Sequence, residues 1–355
     1  MLRSLRIENF RCFQAFELQQ LGRLNLLVGT NNSGKTSILE AVQLLTSHSN
    51  LESLREVMIS RGEYIFNDER NGGRELDIRH LFYGHLIDVD SKFSIFSSNH
   101  DSGEGITVSL EHTGQLSLFE DLQELVLVVK WLGQESEDVK LPLSSKEGLP
   151  LDYVRRIRRD FRSAGTKTQF LTTSSLTAEK MIELFDQVVL TPEEDLITEA
   201  LQTIEPSIDR IASVSSERNR FGSRGGFVVR LTNGDQRIPI GSMGDGIWRM
   251  LGLTLAIVNA RNGVLLVDEI DTGLHFSAMS DMWKLVWETA KRLNVQVFAT
   301  THNSDCWTSL AAIANTKSPS EEGITIQRIE KGKPNSVVFT ERQVVIAAER
   351  GIEVR

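Results

Sequence analysis

Gly29-Thr30-Asn31-Asn32-Ser33-Gly34-Lys35-Thr36 has the form G-x-x-x-x-G-K-T, and it constrains the fold of this chain more than any other stretch. The glycines of such a loop let successive backbone N–H groups turn inward around the α- and β-phosphates of a nucleotide. Lys35 then reaches the β- and γ-phosphates, and the Thr36 hydroxyl ligates Mg²⁺. The pattern carries weight only between a strand and a helix. Residues 24–28, Leu-Asn-Leu-Leu-Val, read as a buried strand, and Ile38, Leu39, Ala41, Val42 and Leu45 recur at helical spacing. A loop so placed sits at a helix N-terminus, where the backbone dipole favours an anion. The competing reading, a glycine loop by chance, does not account for both flanks. The expectation is an α/β fold that binds a nucleoside triphosphate.

With 355 residues, 40% of them hydrophobic and 25% charged, the chain has an ordinary globular composition, enough for one large domain with an insertion or for two domains. Residues 1–10 alternate like a strand and lack the apolar centre of a signal peptide, and no apolar run approaches the roughly 20 residues that span a bilayer. A cytoplasmic location and no membrane contact are expected. Cys12 and Cys306 are too few for a disulfide framework or a structural zinc site, in keeping with a reducing compartment. A net charge of −9 argues against a free-standing basic nucleic-acid binder, because counterion release needs Lys and Arg gathered on one surface.

A second motif lies far along the chain. Residues 263–271, Gly-Val-Leu-Leu-Val-Asp-Glu-Ile-Asp, are an apolar run ending in carboxylates, the form of a Walker B strand inside a parallel sheet. Asp268 is placed for Mg²⁺, through a water, and Glu269 for the general base that orients an attacking water. Taken alone, the pair also fits a core strand ending in a solvated acidic turn. Next, Met279, Met282, Trp283, Val286, Trp287, Ala290 and Leu293 form an apolar stripe of helical spacing, which reads as core. Residues 295–301 return as a strand and deliver His302 at its end, within reach of a γ-phosphate. A lone histidine is more often structural. Ligands of open parallel sheets sit at the carboxyl ends of strands, so Asp268, Glu269 and His302 should share the edge from which residues 29–36 leave.

In this order the pieces resemble the ATP-binding-cassette type of ATPase head, in the branch of the structural-maintenance-of-chromosomes proteins, RecF and the overcoming-lysogenization-defect ATPases. Asn31 matches that branch's third loop position, and residues 5–13 are similar to its N-terminal hairpin, with Arg11 where the branch keeps a basic residue near the nucleotide. Residues 241–251 stand where its signature motif falls, with Ser242 and Gly244 at the serine and second glycine, Asp245 at the polar position and a helix over 247–259. Met243 replaces the first glycine and His275 stands where many relatives carry aspartate, so His275 is open between signalling across a dimer and loop packing. The resemblance implies a P-loop head with a mixed sheet and an inserted helical lobe, using ATP and Mg²⁺. It also implies that Ser242 and Gly244 complete the site of a second copy, giving an ATP-dependent homodimer.

Three segments are expected: 1–133 with the hairpin and phosphate loop, 134–215 as a linker and helical insertion, and 216–355 with the signature, Walker B strand and His302. Thr191-Pro192 and Pro206 read as helix starts. Arg155, Arg156, Arg158, Arg159 and Arg162, with Arg218, Arg220 and Arg224, are open between solvated faces and a contact for DNA or an acidic partner. No Toprim nuclease domain is expected, and the expected role is a stand-alone ATPase switch that gates a separate effector, such as a nuclease, in bacterial antiphage or mobile-element defence. The alternatives are a recombination-repair ATPase of RecF type and a nucleotide-dependent assembly scaffold.

Overall fold

The computed structural model describes residues 1–47, 50–65, 74–98, 103–112, 125–132, 138–144, 146–151, 166–214, 226–232, 234, 236–315 and 323–355. The chain forms two compact units that interleave in sequence. Unit 1 holds Met1–Leu21, Asn32–Thr166 and Ile329–Ser336, and unit 2 holds Gly22–Asn31, Lys167–Arg328 and Val337–Arg355. The chain passes from one to the other inside the phosphate loop, between Asn31 and Asn32. Strands and helices are numbered along the chain.

In unit 1, β1 (Leu5–Phe10) and β2 (Phe13–Leu18) form the expected antiparallel hairpin. The sheet continues from β1 through β6 (Lys92–Ser98), β7 (Gly103–His112), β8 (Leu125–Leu132) and β9 (Val139–Pro142), antiparallel throughout. Alternation decides its faces: Leu5 and Ile7 are buried while Arg6 between them is exposed. Helices α1 (Lys35–Thr46) and α2 (Glu52–Ser60) belong to this unit, with α1 packed on β1, β6 and β7. A small sheet of β4 (Tyr64–Ile65), β5 (Glu75–Asp77) and β10 (Gly148–Pro150) completes it. β9 corrects the expected linker. Val139 and Leu141 are buried in register with Val129 and Leu127, which draws that polar stretch onto the sheet edge.

The turn between β1 and β2 is fastened to α1 by buried charge. Arg11 donates from Nε to Glu40 at 3.1 Å and from Nη1 to Glu63 and to the His80 carbonyl, while Arg61 Nε reaches the other Glu40 oxygen at 2.5 Å. Removing one partner of such a cluster strands the rest in low dielectric. Glu40→Ala is therefore expected to lower unfolding free energy by about 3–5 kcal/mol, read from denaturant unfolding. An effect below 1 kcal/mol would show that water already screens the cluster.

Unit 2 carries a six-stranded sheet of β11 (Thr168–Leu171), β15 (Val264–Val267), β16 (Gln296–Thr300), β3 (Leu24–Val28), β17 (Ile324–Arg328) and β18 (Val337–Thr340), in that spatial order. All neighbours are parallel except β18, which runs antiparallel at the edge. This is the expected mixed α/β sheet. Every residue of β3, β15 and β16 is buried, as in a sheet covered on both faces. The one amide inside β3 is fully used: Asn25 Nδ2 donates to Gly22 O and Val297 O, and Oδ1 accepts from Gly22 N–H and the Thr325 hydroxyl.

Around the sheet lie α3 (Ala178–Asp186), α4 (Glu194–Gln202), α5 (Asp245–Asn259), α6 (Phe276–Leu293), α7 (Ser304–Asn315) and α8 (Glu341–Glu349). The α6 stripe is core, with Trp283 donating its indole N–H to Cys306 O at 2.9 Å. The two cysteines are free. The expected boundaries at 133 and 215 do not hold. Helix α5 is buried from Ile247 to Asn259, and α3 and α4 cover it with Met181, Leu184, Phe185, Ile197 and Leu201 in the same apolar core. Residues 178–202 are thus part of unit 2 and not a separate helical lobe. Pro206 also starts no helix. It precedes β12 (Ile208–Ser213), which pairs antiparallel with β13 (Phe227–Leu231), itself paired with β14 (Arg237–Pro239).

Candidate active site

Within unit 2 the parallel neighbours β15, β16 and β3 end along one edge. Asp268 follows β15, Thr301 and His302 follow β16, and Gly29, Thr30 and Asn31 follow β3, with Thr301 N–H donating to Leu27 O at 3.3 Å. The ends of β15 and β16 are joined by paired hydroxyl–carboxylate bonds. Thr300 Oγ1 donates to Asp268 Oδ1 at 2.6 Å, and Thr301 Oγ1 donates to Asp271 Oδ1 at 2.7 Å. These bonds orient both carboxylates.

Glu269 has a left-handed backbone, φ 47°, unusual for a residue with a long side chain. Its N–H donates to Thr300 Oγ1 at 2.8 Å and its carbonyl accepts from Arg249 Nη2 at 2.9 Å. The Thr272 hydroxyl donates to Glu269 Oε2 at 3.3 Å, and His302 Nε2 stands 3.9 Å from Oε1, too far for a hydrogen bond. Both side chains are partly open to solvent, at 43% for Glu269 and 37% for His302. This suits a carboxylate that must reach water.

Arg249 was not singled out in the sequence, and neither was Thr300. The Arg249 side chain is buried, donating from Nη1 to Thr172 O at 2.6 Å and from Nη2 to Asp268 O at 3.0 Å as well as to Glu269 O. Burial pulls its guanidinium down to about 10, against the nearby carboxylates Asp268, Asp271 and Glu269 that hold it up. It stays charged near neutrality. The only sequence signals were an arginine inside an otherwise apolar helix and two threonines ending an apolar strand.

The loop's second half lies in unit 1. Lys35 and Ser33 are buried, and the Ser33 hydroxyl is among the buried polar atoms without a hydrogen-bond partner. Gly34 has φ 100°, and a Cβ there would come within 2.3 Å of Phe13 Cζ and 2.8 Å of Cys12 Sγ. The β1–β2 turn therefore presses directly on the loop. Asn32 and Ser33 also line a cleft of about 950 Å³ in unit 1, together with Cys12, Phe13, Tyr83 and Lys331. Arg11, expected beside the nucleotide, is 4% exposed and spends Nε and Nη1 on its own unit; Nη2 alone is buried without a partner. The guanidinium is first of all a fastening of the turn.

Ser242 lies in a 3-10 turn, Ile240–Met243, and Gly244 (φ 95°, ψ 169°) caps α5 in a conformation that requires glycine. Ser242, Gly244 and Asp245 are exposed. A Cβ at Gly246 would approach Gly273 O to 3.3 Å, so the start of α5 lies against residues 273–274, and Phe276, two residues further on, is 62% exposed. His275 caps α6: its Nδ1 accepts from Ser277 N–H at 3.4 Å and its ring lies near Phe276. Arg155, Arg156, Arg158, Arg159, Arg162, Arg218, Arg220 and Arg224 lie outside the described residues.

The family described as "AAA domain, putative AbiEii toxin, Type IV TA system" matches residues 24–305, the span that contains the phosphate loop, the α5 cap, Asp268, Glu269 and His302. The chain belongs to this AAA family. A Helicobacter pylori protein described as an ATP/GTP phosphatase is 23% identical over 335 residues, covering 86% of each chain. A RecF protein of Shewanella frigidimarina is 35% identical over 103 residues, which is 29% of this chain and 25% of that one. The SMC head domain of Thermotoga maritima aligns with 96% of this chain and 98% of its own at 12% identity and a TM-score of 0.46. The chain is thus an ATPase-type AAA protein, as its resemblance to the RecF branch implied, with nucleoside triphosphate hydrolysis as the family's general activity. Among the described residues no helix is long and apolar enough to cross a membrane.

Proposed function

We propose that this protein is a Mg²⁺-dependent ATPase whose two copies close over ATP and part on hydrolysis, and that this cycle gates a separate effector in bacterial defence. The observation that carries the reading is Glu269, held by backbone and side chain at the edge where β3 enters the phosphate loop. Backbone N–H groups of residues 29–36 grip the phosphates and Lys35 neutralises them. The Glu269 carboxylate orients a water in line with the γ-phosphorus and receives its proton, while His302 donates to a γ-phosphate oxygen.

Among the described residues no three His, Cys, Asp or Glu side chains form a metal cage. Mg²⁺ pairs one or two protein oxygens with phosphate oxygens and water. Asp268 and Thr36 would hold it, and bound there it would neutralise charge developing on the phosphates. The cleft beside Asn32 and Ser33 suits the nucleoside, with Phe13 and Tyr83 offering aromatic faces.

Exposed Ser242, Gly244 and Asp245, with the start of α5 against residues 273–274 and Phe276 exposed just beyond, support pairing with a second copy. The toxin–antitoxin wording of the family description supports a role in defence. The stretch similar to RecF supports the second reading, a repair ATPase acting on DNA. Steady-state ATP turnover with Mg²⁺, measured alone and then with gapped DNA, tests both. No turnover in any condition defeats the ATPase proposal, and strong stimulation by gapped DNA favours the second reading.

Thr300→Val removes the two bonds that hold Asp268 and the Glu269 N–H at nearly constant volume. Partners that orient a ligating group contribute about 10- to 100-fold, so kcat should fall by that range. Unchanged kcat would show that Asp268 needs no such support.

A further inference from the structure

We infer that Arg249 is the positioning residue that holds Glu269 in its left-handed conformation, tying the candidate base to helix α5. The inference rests on the ATPase reading above. In an extended strand successive carbonyls point to opposite sides. Here the carbonyls of Asp268 and Glu269 both meet Arg249 Nη2, at 3.0 and 2.9 Å, an arrangement that goes with the turn of the chain at Glu269, φ 47°. A left-handed glutamate persists only where its surroundings over-determine it. Thr300 holds the N–H side and Arg249 the carbonyl side.

Packing alone does not explain Arg249. It stands in sequence between the buried Trp248 and Met250 on a helix buried along most of its length, where an aliphatic residue would not desolvate a charge. Every hydrogen bond it donates ends on a backbone carbonyl, and Nε has no partner at all. A guanidinium used this way is a rigid fork, reaching residue 172 with one nitrogen and residues 268 and 269 with the other.

Its position on α5 gives the contact a consequence. Arg249 lies about one turn after Gly244 and Asp245, the exposed start of the helix. A ligand or second copy that shifts this helix end moves the fork, and with it the direction of the Glu269 carboxylate. The link stays within unit 2 and needs no atom of Arg249 to touch the substrate.

Arg249→Lys keeps a charge but loses the fork, and Arg249→Met keeps the volume without any donor. ATP affinity, kcat and amide exchange over residues 268–272 would be measured in both, and in the Arg249→Lys/Glu269→Gln double variant. The expected result is ATP affinity within about twofold and kcat down about tenfold or more, with the double variant no slower than Glu269→Gln alone. Turnover within twofold of wild type would overturn the inference. So would parallel losses of kcat and ATP affinity, which mark a general structural role, or fully additive losses in the double variant. Exchange decides it without any turnover: amides of residues 268–272 should exchange faster in both variants, most in Arg249→Met, and unchanged exchange overturns it. A wild-type protein that hydrolyses no nucleotide would instead defeat the ATPase reading, leaving the exchange result to decide Arg249.

Discussion

Glu269→Gln is expected to lower ATP turnover by about 100- to 10,000-fold, the range a positioned general base contributes, with ATP affinity within a few-fold of wild type. The amide has nearly the volume of the carboxylate, and its oxygen can still accept from the Thr272 hydroxyl. The bonds that fix residue 269 run through its main chain, to Thr300 and Arg249, and do not depend on the side chain. Only the capacity to take a proton disappears. Phosphate release under saturating ATP, beside equilibrium binding of ATP, separates the two effects. Near-normal turnover would place the base elsewhere.

The second large effect concerns the loop itself. Gly34→Ala adds a Cβ within 2.3 Å of Phe13 Cζ and 2.8 Å of Cys12 Sγ, at a backbone φ of 100°. Strain at such a position costs about 1–3 kcal/mol, and a methyl forced against packed side chains adds a similar amount. The loop escapes by opening, and a triphosphate has to close it again. ATP affinity should therefore fall at least about 30-fold, the equivalent of about 2 kcal/mol, with most of the folded stability retained because the strain is local. Pairing Gly34→Ala with Phe13→Ala should recover part of the loss, since the nearer obstruction is then gone. Unchanged affinity for ATP in Gly34→Ala would show that the β1–β2 turn does not brace the loop.

The residues that could be read from the sequence are those whose role is local. Strand β3, the loop and α1 carry their pattern in consecutive positions, as do β15 and the α6 stripe. His302 was legible because it ends an apolar strand, and the edge it shares with Asp268 and Gly29 follows from parallel neighbours. The contacts that organise the site were not legible. Arg249 meets residues 77 and 20 positions away, and Thr300 meets Asp268 across 32 positions, so only the folded sheet brings them together.

The same limit applies to domain boundaries. α3 and α4 have amphipathic patterns that would suit a separate lobe, but the apolar surface they cover belongs to α5, some 50 residues further on. Propensity also failed where pairing overrode it. Pro206 has the form of a helix start, yet Ile208 and Ile211 are buried in a strand paired with β13. Arg11 had the charge and place of a nucleotide contact, and only the buried Glu40 and the half-buried Glu63 reveal where most of its donors go.

The central claim is that two copies of this chain close over ATP. Sedimentation velocity of Glu269→Gln, alone and with ATP and Mg²⁺, tests it most directly, because slow hydrolysis preserves the paired state. The expected result is a monomer without nucleotide and a dimer with ATP, reversed by the Gly34→Ala substitution that weakens binding. A monomer at saturating ATP, with no partner protein added, would contradict it.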